Sequence, residues 1–407
     1  MHVAVVGGGI IGLAVSEALA RASTAVTCFE RRTVGSGSSE RANGGIRGQF
    51  STEANVKLSR YSLDVWDSFE ERYGIDMHFR RNGYLFLTDD ADTAAKFRAN
   101  VEMQNELGIP SRYLAPEAIA DYSPGINTAS IAGATYSPSD GYADPHLALR
   151  GFLDRAREAG TAVEQHTPVA DIEKRADSYV VEHAEGHTAA DAVVVTAGPW
   201  TGHLLERIGH RLPIRPIRRQ LALLEPDRPL PTDHPYAYHV DRKVSFRPER
   251  HPDALVSGGY PGATSPVSDP GSYRRSVDTS FAVETAERLG EWAAYFGPDT
   301  RIKGGWAGLY TVTPDKNPII DELEPGLVVA TGFSGHGFMH APAVGRVVAE
   351  LVLPDRDPFI SLSDFRHDRF TTAEGLADRD GDGDGDGDGG GDGGGDGGCG
   401  SGEALTP

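Results

Sequence analysis

A glycine-rich turn between a buried strand and a helix constrains this chain more than any other feature. The apolar run His2–Val6 ends at a glycine, and apolar residues then recur at helical spacing from Ile11 to Ala22. The turn reads GGGIIG over residues 7–12, and the next strand-like run, Ala25–Glu30, ends in an acidic residue. The pattern G-x-G-x-x-G alone is weak, but in a strand–turn–helix–strand context it predicts a Rossmann-type dinucleotide-binding unit.

The residues of this turn have separate roles in such a unit. Gly7 permits the tight turn, Gly9 lets the backbone approach a pyrophosphate, and Gly12 lets helix and strand pack closely. The amides of the first helical turn, at Ile10 and Ile11, then point at the phosphates, and the helix dipole adds to the attraction. The turn therefore predicts a site for the pyrophosphate of a dinucleotide.

The motif suits FAD and NAD alike, because Glu30 would hold the ribose hydroxyls of either cofactor. Two observations favour FAD. The sequence has no second G-x-G-x-x-G, which argues against an enzyme with both an FAD and an NADPH site. After Glu30 the chain enters a long, mostly polar and Gly-rich stretch, Arg31–Ser51, and such a loop within a compact domain is usually functional. An NAD-dependent Rossmann dehydrogenase stays the alternative at this point.

The rest of the chain alternates between two patterns, and two domains are predicted from them. One is an α/β, Rossmann-type FAD-binding domain, and the other is an inserted α+β substrate domain built on an antiparallel sheet. Short strand-like runs between Pro-rich turns, from about Leu212 to Tyr260, carry the second assignment. The FAD-binding domain is assigned to residues 1–80, 145–210 and 305–365, and the substrate-binding domain to residues 81–144 and 211–304.

The end of the chain holds a predicted helix and a low-complexity tail. The helix is placed at Pro342–Leu353, because Pro342 suits a first helical turn and Pro354 stops a helix. Residues 371–407 hold ten acidic residues and one Arg among many glycines. Gly-rich chain with repelling aspartates cannot offset its ordering entropy, so this tail is predicted to be disordered.

Charge and composition exclude several classes of protein. The formal net charge is −20, which argues against a nucleic-acid partner. The acidic balance with very few lysines is typical of proteins from salt-loving archaea. Cys28 and Cys399 are the two cysteines, and neither a CxxC pair nor an EF-hand spacing occurs, so no metal site is predicted. No signal peptide and no transmembrane run is predicted, so a cytoplasmic protein is expected.

Four stretches together point to a family. They are VAVVGGGIIG with Glu30-Arg31, SERANGGIRGQFS (39–51), VVVTAGPWT (193–201) and GWAGLYTVTPDKNPIID…VVATGFSGHGFMHAPAVG (305–345). With them the chain resembles the FAD-dependent amine and amino-acid oxidoreductases of the D-amino-acid oxidase superfamily. It is most similar to the branch with glycine oxidase, the sarcosine oxidases and dehydrogenases, and the FAD-bearing subunit of dye-linked L-proline dehydrogenase.

The resemblance implies a set of cofactor-binding residues. Gly7, Gly9, Gly12, Glu30 and Arg31 hold the ADP half of FAD, and the backbone of Val169 meets the adenine. The ribityl chain and flavin are wrapped by Ser38, Ser39, Arg41, Asn43, Gly44, Gly45 and Ile46. The chain returns to the cofactor at Ala197, Gly198 and Trp200, and it lies beside the flavin pyrimidine ring at Gly332, Gly335, His336, Gly337, Phe338 and Met339.

The resemblance also implies the reaction, which is oxidation of the C–N bond of a small amine or amino acid. Arg47 is expected to bind the substrate carboxylate or to place a charge near the flavin, because a guanidinium holds a carboxylate bidentately. Tyr310 and Gln49 are expected to line the substrate pocket. At Met339 sarcosine-oxidising relatives have a Lys that meets the carboxylate, so this chain is expected to have a roomier, less polar pocket, which fits a larger amino acid or a dehydrogenase relative.

Other expectations concern the cofactor's attachment and the partners. Relatives that bond the flavin covalently have a Cys where this chain has Gly308, so FAD is expected to be non-covalent. The electron acceptor is either O2 or an electron-transfer partner such as a quinone, and a homo- or hetero-oligomer is compatible with the sequence. A flavin-binding assembly subunit without turnover of its own is the alternative from outside the enzymes.

Overall fold

The protein is described by a computed structural model over residues 1–353 and 356–370. The predicted tail, residues 371–407, lies outside the described residues. The helices are α1 (Ile10–Arg21), α2 (Glu53–Asp67), α3 (Phe69–Tyr73), α4 (Ala91–Glu106), α5 (Pro145–Glu158), α6 (Thr201–Arg207), α7 (Thr279–Gly290) and α8 (Gly337–Val352).

The strands fall into four sheets. In chain order they are β1 (His2–Val6), β2 (Ala25–Phe29), β3 (Gly45–Ile46), β4 (Tyr84–Thr88), β5 (Arg112–Leu114), β6 (Gly133–Ser137), β7 (Gly141–Tyr142), β8 (Ala162–Glu164), β9 (Val169–Lys174), β10 (Tyr179–His183), β11 (Gly186–Ala190), β12 (Ala192–Val195), β13 (Arg215–Glu225), β14 (Tyr236–His239), β15 (Val244–Pro248), β16 (Ala254–Gly258), β17 (Ser265–Pro266), β18 (Arg301–Val312), β19 (Ile319–Glu324) and β20 (Leu327–Thr331).

A six-stranded sheet forms the centre of the predicted dinucleotide-binding unit. Its order is β19-β20-β12-β1-β2-β8, and all neighbours are parallel except β19 and β20. Helices α1, α2, α5 and α8 pack on one face. The antiparallel sheet β9–β11 and helix α6 cover the other face. Because both faces are covered, the central strands are apolar without alternation, as the runs at residues 2–6 and 192–195 indicated.

A nine-stranded sheet forms the second large sheet of the fold. Its order is β17-β13-β16-β15-β14-β4-β6-β5, with β18 paired along β13, and all neighbours are antiparallel except β4 and β14. Helix α7 packs on one face of this sheet. The opposite face presents aromatic side chains, among them Tyr84, Phe86, Tyr236 and Tyr238. The predicted mixed α/β architecture with a largely antiparallel second sheet is confirmed.

The predicted domain boundaries stay predictions, and the structure shows where they fall. Residues 81–144 and 211–304 contribute to the nine-stranded sheet, as expected. The boundary at residue 305 falls inside β18, which pairs with β13 from Arg301 to Val312. Strand pairing therefore carries the second sheet past that boundary.

Helix α8 begins five residues before the predicted start, so Pro342 lies inside the helix and not in its first turn. Proline lacks the N–H that a helix interior needs and crowds the preceding carbonyl. Two side chains of α2 bond to this part of α8: Trp66 Nε1 donates to Met339 O at 2.9 Å, and Ala343 N donates to Ser62 Oγ at 3.2 Å. These bonds satisfy the Met339 carbonyl and the Ala343 amide, which flank the proline, and they hold α8 against α2 where the helix continues through it.

Candidate active site

A long cleft runs between the six-stranded sheet and the nine-stranded sheet. Its cavity volume is about 350 Å³. The glycine turn before α1 and the loop after β2 form one wall, together with the turn after β12. Strands β13 and β18 of the second sheet and the glycine loop before α8 form the other wall. The cleft is thus lined by the same stretches that carry the sequence motifs.

The turn before α1 has the form that a pyrophosphate site requires. Gly7 has φ +114°, a conformation that favours glycine, and a Cβ built on Gly12 would overlap the carbonyl oxygen of Gly7. Helix α1 has no side-chain cap at its N-cap Gly9. The Ile10 amide donates to Ser39 Oγ at 3.0 Å, which ties the loop after β2 to the helix start. The Ile10 amide is therefore occupied by Ser39, while the amides that follow it have no cap from the side chain of Gly9. Amides of this kind at a helix start form an anion site that can hold phosphates.

The carboxylate of Glu30 lies at the end of β2, beside this turn. Its Oε2 accepts from Gly8 N and its Oε1 from Arg32 N, both at 2.9 Å. Each carboxylate oxygen has a second lone pair, so the group still has room to accept ribose hydroxyls. Arg31 lies over the Trp200 ring at 3.9 Å from its centroid. This end of the cleft therefore combines a fixed carboxylate with a flat cationic and aromatic surface.

The Gly-rich loop after β2 is held against the second sheet. Ser38 Oγ donates to Leu309 O at 2.7 Å, and Asn43 Nδ2 donates to Tyr236 Oη at 3.1 Å. The Arg41 guanidinium donates to Ser36 O at 2.7 Å and to Gly37 O at 2.6 Å. Arg41 is thus used to shape the loop. The predicted functional loop is an ordered part of the cleft wall.

The loop before α8 closes the other end of the cleft. Gly332 has φ +70° and Gly335 has φ +97°. A Cβ built on Gly335 would overlap the ring of Tyr310, so the loop backbone and this ring are in close contact. Phe338 also lines the cleft, and its ring stacks on Trp66 of α2 at 5.3 Å. The glycines are required here because backbone must pass directly beside an aromatic wall.

The structure brings most of the predicted site residues together. The predicted residues that line the cleft are Gly7, Gly9, Ile10, Ile11, Glu30, Arg31, Ser38, Ser39, Arg41, Asn43, Gly45, Val169, Ala197, Gly198, Trp200, Tyr310, Gly332, Gly335, Gly337 and Phe338. Seven others lie behind the lining or between its members: Gly12, Gly44, Ile46, Arg47, Gln49, His336 and Met339. The assignment of all these residues to a cofactor or substrate site stays a prediction.

Arg47 and Gln49 belong to a buried polar cluster behind the cleft wall. Arg47 is 0 % exposed; its guanidinium donates to Gln49 O, and Nη2 lies 3.2 Å from Nε2 of His336. Gln49 Nε2 donates to Asp140 Oδ2 at 3.0 Å, and its Oε1 accepts from Thr135 Oγ1 at 2.6 Å. Burial lowers the pKa of Arg47 to about 10 and raises the pKa of Asp140 to about 6.

Met339 is 4 % exposed and belongs to the hydrophobic core under α8. Its carbonyl, and not its side chain, makes the hydrogen bond to Trp66. Position 339 therefore carries an apolar core residue in this chain. Its expected influence on the substrate pocket stays a prediction.

The sequence reasoning missed Arg219, a cation in the cleft wall. Arg219 lies on β13 opposite Gly308 of β18, and its guanidinium carbon is 5.2 Å from the Tyr310 ring centroid. Gly308 lacks a side chain, and a Cβ built on it would come within 3.1 Å of Arg41 Cβ, so the loop after β2 packs closely against this part of the wall. A strand pair between residues 219 and 308 depends on a register that no local pattern specifies. The alternating run RRQLALLE indicated only that β13 has two different faces.

Two phenols stand near Arg219. Burial raises the pKa of Tyr310 and raises that of Tyr238 to about 12, although the positive charge of Arg219 opposes both shifts. Both hydroxyls are therefore protonated and neutral near pH 7. This end of the cleft combines the Arg219 guanidinium with the neutral phenol of Tyr310.

Two further findings concern metals and membranes. Within the described residues, Asp89, His239 and Asp241 bring three potential metal ligands within 4.8 Å of one another. The three lie outside the cleft lining, and Arg242 pairs with Asp89 at 3.1 Å. Of the helices that the structure describes, none is long and apolar enough to cross a bilayer.

With the cleft and its residues in place, comparison with known proteins identifies the family. A family model described as DAO, FAD dependent oxidoreductase, matches residues 2–351. The chain belongs to this family. It is 31% identical to the bovine (Bos taurus) FAD-dependent oxidoreductase domain-containing protein 1, over 91% of this chain and 85% of that protein. It is 29% identical to glycine oxidase of Geobacillus kaustophilus (strain HTA426), over 86% and 92%.

The fold agrees with this assignment. The crystal structure of L-proline dehydrogenase from P. horikoshii superposes with a TM-score of 0.82 at 30% identity, covering 91% of this chain and 97% of that chain. The predicted superfamily is confirmed, and the protein is an FAD-dependent oxidoreductase. The family decides between the two dinucleotides that the glycine motif left open, in favour of FAD.

The residues present fit FAD. The glycine turn and the start of α1 suit the pyrophosphate, and Glu30 suits the ribose of the adenosine half. The cleft lining also includes Gly308, Tyr310 and the glycine loop before α8, and this part of the cleft suits the flavin ring system. Cys28, the cysteine among the described residues, is buried in β2 and outside the lining. The expected non-covalent attachment stays a prediction.

Because His340 of α8 is buried, the free energy of unfolding of the protein is expected to depend on pH. His340 is 0 % exposed, its Nε2 lies 2.9 Å from Ser59 Oγ, and burial lowers its pKa to about 3. Between the ordinary value near 6.5 and about 3, only the unfolded chain takes up this proton, so stability falls as pH falls. When the pH is lowered from about 7 to about 4.5, the free energy of unfolding falls in the wild type because of this histidine. In His340→Gln this fall is expected to be about 2 to 3 kcal/mol smaller.

Urea titrations at the two pH values measure this difference. His187, which is exposed on β11, supplies the matched control: His187→Gln is expected to keep the wild-type pH dependence. Equal pH dependence in wild type and His340→Gln would show that His340 does not contribute in this way.

Proposed function

We propose that the protein oxidises the C–N bond of a small amino acid or secondary amine, of the glycine, sarcosine, proline or D-amino-acid class. The observation that carries this proposal is the placement of Arg219 and Tyr310 opposite the glycine loop before α8. Relatives support it by their names: glycine oxidase and L-proline dehydrogenase both act on small amino acids. A substrate carboxylate at Arg219 would direct the carbon next to nitrogen toward the flavin.

Arg219 is favoured over the other cations of the cleft by their positions. Arg31 stacks on Trp200, and Arg275 lies within electrostatic range of Arg31. Arg32 follows at the adenosine end beside Glu30. Arg41 already donates to two loop carbonyls. Among the arginines that line the cleft in the described chain, Arg219 is the one beside Tyr310.

The protein's part in the reaction is binding and orientation. FAD, when bound, supplies the hydride acceptor, and water hydrolyses the imine that the substrate becomes. Arg219 binds the substrate carboxylate bidentately, and Tyr310 limits the space beside the reacting carbon. The substrate amine must be neutral to give up a hydride from the adjacent carbon. The neutral phenols of Tyr310 and Tyr238 leave that amine without a nearby anion that would favour its protonation.

Anaerobic reduction of the bound flavin tests this proposal. The purified protein is mixed with glycine, sarcosine, proline or a D-amino acid, and the visible flavin absorbance is followed. At least one of these substrates is expected to bleach the flavin, and the matching amine without a carboxylate is expected to do so more slowly. If every amine and amino acid leaves the flavin oxidised, and only an added partner subunit restores reduction, the protein is a flavin-binding subunit and the proposal is wrong.

Admission of air then distinguishes the two electron acceptors. Rapid return of the oxidised spectrum identifies an oxidase that uses O2. Persistence of the reduced spectrum until a quinone or dye is added identifies a dehydrogenase with an electron-transfer partner. Both outcomes are compatible with the same cleft, since oxygen reactivity depends on small differences in space and charge around the flavin.

A further inference from the structure

Arg47 does not line the cleft itself, but lies behind the part of the cleft wall at the start of α8. Its side chain is completely buried, and its guanidinium carbon is 3.9 Å from the Phe50 ring centroid. Its Nη2 lies 3.2 Å from Nε2 of His336. His336 is the N-cap of α8 and stands between Gly335 and Gly337, both of which line the cleft. A cation is therefore fixed directly behind the backbone of the glycine loop.

The contact with His336 has a defined polarity. A guanidinium only donates hydrogen bonds, so Nε2 of His336 must accept, and the imidazole is neutral with its proton on Nδ1. Burial lowers the pKa of Arg47 to about 10, which keeps the guanidinium charged near neutral pH. The positive charge behind the loop is thus carried by Arg47 and not by the histidine.

The charge adds to the field of the helix. Helix α8 has 16 residues, and its N-terminus bears a partial positive charge directed at the cleft. Two electrons and one proton convert FAD to the anion FADH⁻. A cation and a helix N-terminus on the same side stabilise that anion more than neutral FAD, and they do so strongly because the site is buried.

We propose that Arg47 is a positioning residue that raises the midpoint potential of the bound flavin, by holding His336 at the start of α8 and by placing a fixed positive charge behind the glycine loop. This inference rests on the proposed function to the extent that the flavin ring lies against residues 332–338. It assigns to Arg47 a role without contact to the substrate, whereas the sequence alone suggested a carboxylate ligand or a charge near the flavin.

The test compares a neutral with a charged replacement in the holoenzyme. Arg47→Gln keeps hydrogen-bonding groups but loses the charge, and Arg47→Lys keeps the charge. Equilibration with a redox dye gives the midpoint potential of each. Arg47→Gln is expected to show about a tenfold lower ratio of reduced to oxidised flavin at a fixed potential, which corresponds to about 30 mV for two electrons. Arg47→Lys is expected to stay within about threefold of the wild-type ratio.

A second variant is expected to shift the midpoint potential of the flavin in the opposite direction. Asp140 is buried on the far side of Gln49 and accepts hydrogen bonds from Gly48 N at 2.8 Å and from Gln49 Nε2 at 3.0 Å. At pH 8, above its pKa of about 6, Asp140→Asn removes a negative charge and is expected to raise the reduced fraction by about twofold. General damage to the site cannot produce shifts of opposite sign. This variant also keeps the inference testable if Arg47→Gln does not retain FAD.

Arg242 supplies the matched control. It lies in the turn between β14 and β15, outside the cleft lining, and pairs with Asp89 and Glu291, so Arg242→Met is expected to keep the wild-type potential. The inference is overturned if Arg47→Gln binds FAD with an unchanged potential, if Arg47→Lys falls as far as Arg47→Gln, or if Asp140→Asn lowers the potential. None of these measurements uses an amine substrate, so they are independent of whether the proposed oxidation is correct.

Discussion

Arg219→Met is expected to lower kcat/KM for an amino-acid substrate by about 100-fold. Loss of a charge-assisted, bidentate contact to a carboxylate costs up to about 3 kcal/mol, and each 1.4 kcal/mol corresponds to about tenfold. The matching amine without a carboxylate makes no such contact, so its kcat/KM is expected to change by less than about threefold. Steady-state kinetics with both members of the pair measure the difference.

Two further variants define what this result means. Arg275→Met removes a cation from the adenosine end of the cleft and is expected to leave the ratio between the two substrates unchanged. Arg47→Ala tests the other candidate: if Arg47 is the carboxylate ligand, this variant weakens amino acids far more than neutral amines. Selective loss in Arg47→Ala but not in Arg219→Met would move the carboxylate site from β13 to the buried cluster.

Gly12→Ala is expected to weaken FAD binding by about 100-fold or more. A Cβ at this position would overlap the Gly7 carbonyl oxygen and approach Thr196 Oγ1 to 2.7 Å, so the turn and the start of α1 must separate. Displacing that turn moves the amides that face the pyrophosphate. Equilibrium dialysis of apoprotein with FAD measures the affinity, and far-ultraviolet circular dichroism reports whether the fold survives.

The control for this substitution is another helical glycine. A Cβ built on Gly202 of α6 comes no closer than 3.7 Å to Ile214, which is an ordinary contact. Gly202→Ala is therefore expected to keep wild-type FAD affinity and to stabilise the helix slightly. Tight FAD binding by Gly12→Ala would contradict the role assigned to the turn.

The dinucleotide-binding unit was predictable because its signals are local. The turn at Gly7–Gly12, the strand before it and the acidic end of the next strand lie within thirty residues, and each step of that pattern has its own steric cause. The Gly-rich loop after β2 and the glycine loop before α8 were predictable for the same reason. In both, glycine occurs where the backbone passes close to another part of the chain: Gly44 lies against the Ala143 carbonyl oxygen and Gly335 against the Tyr310 ring.

What escaped prediction depends on contacts between distant residues. Arg47 follows a loop that lines the cleft, yet its side chain turns toward His336, which is 289 residues away. Arg219 faces the cleft because β13 pairs with β18 in a register that puts Gly308 opposite it. Pro342 continues α8, although proline usually marks a helix start, because Ser62 and Trp66 of α2 bond to the backbone around it. Local patterns do not encode such pairings.

A single anaerobic turnover tests the proposed reaction most directly. The holoenzyme is mixed with one amino acid of the panel, and the loss of the oxidised flavin spectrum is compared with the oxo acid or aldehyde formed. We predict one product molecule per flavin reduced, together with slower reduction when the hydrogen on the carbon next to nitrogen is replaced by deuterium. Flavin that stays oxidised with every amino acid and amine, or product formed without flavin reduction, would contradict the proposal that this cleft oxidises a C–N bond.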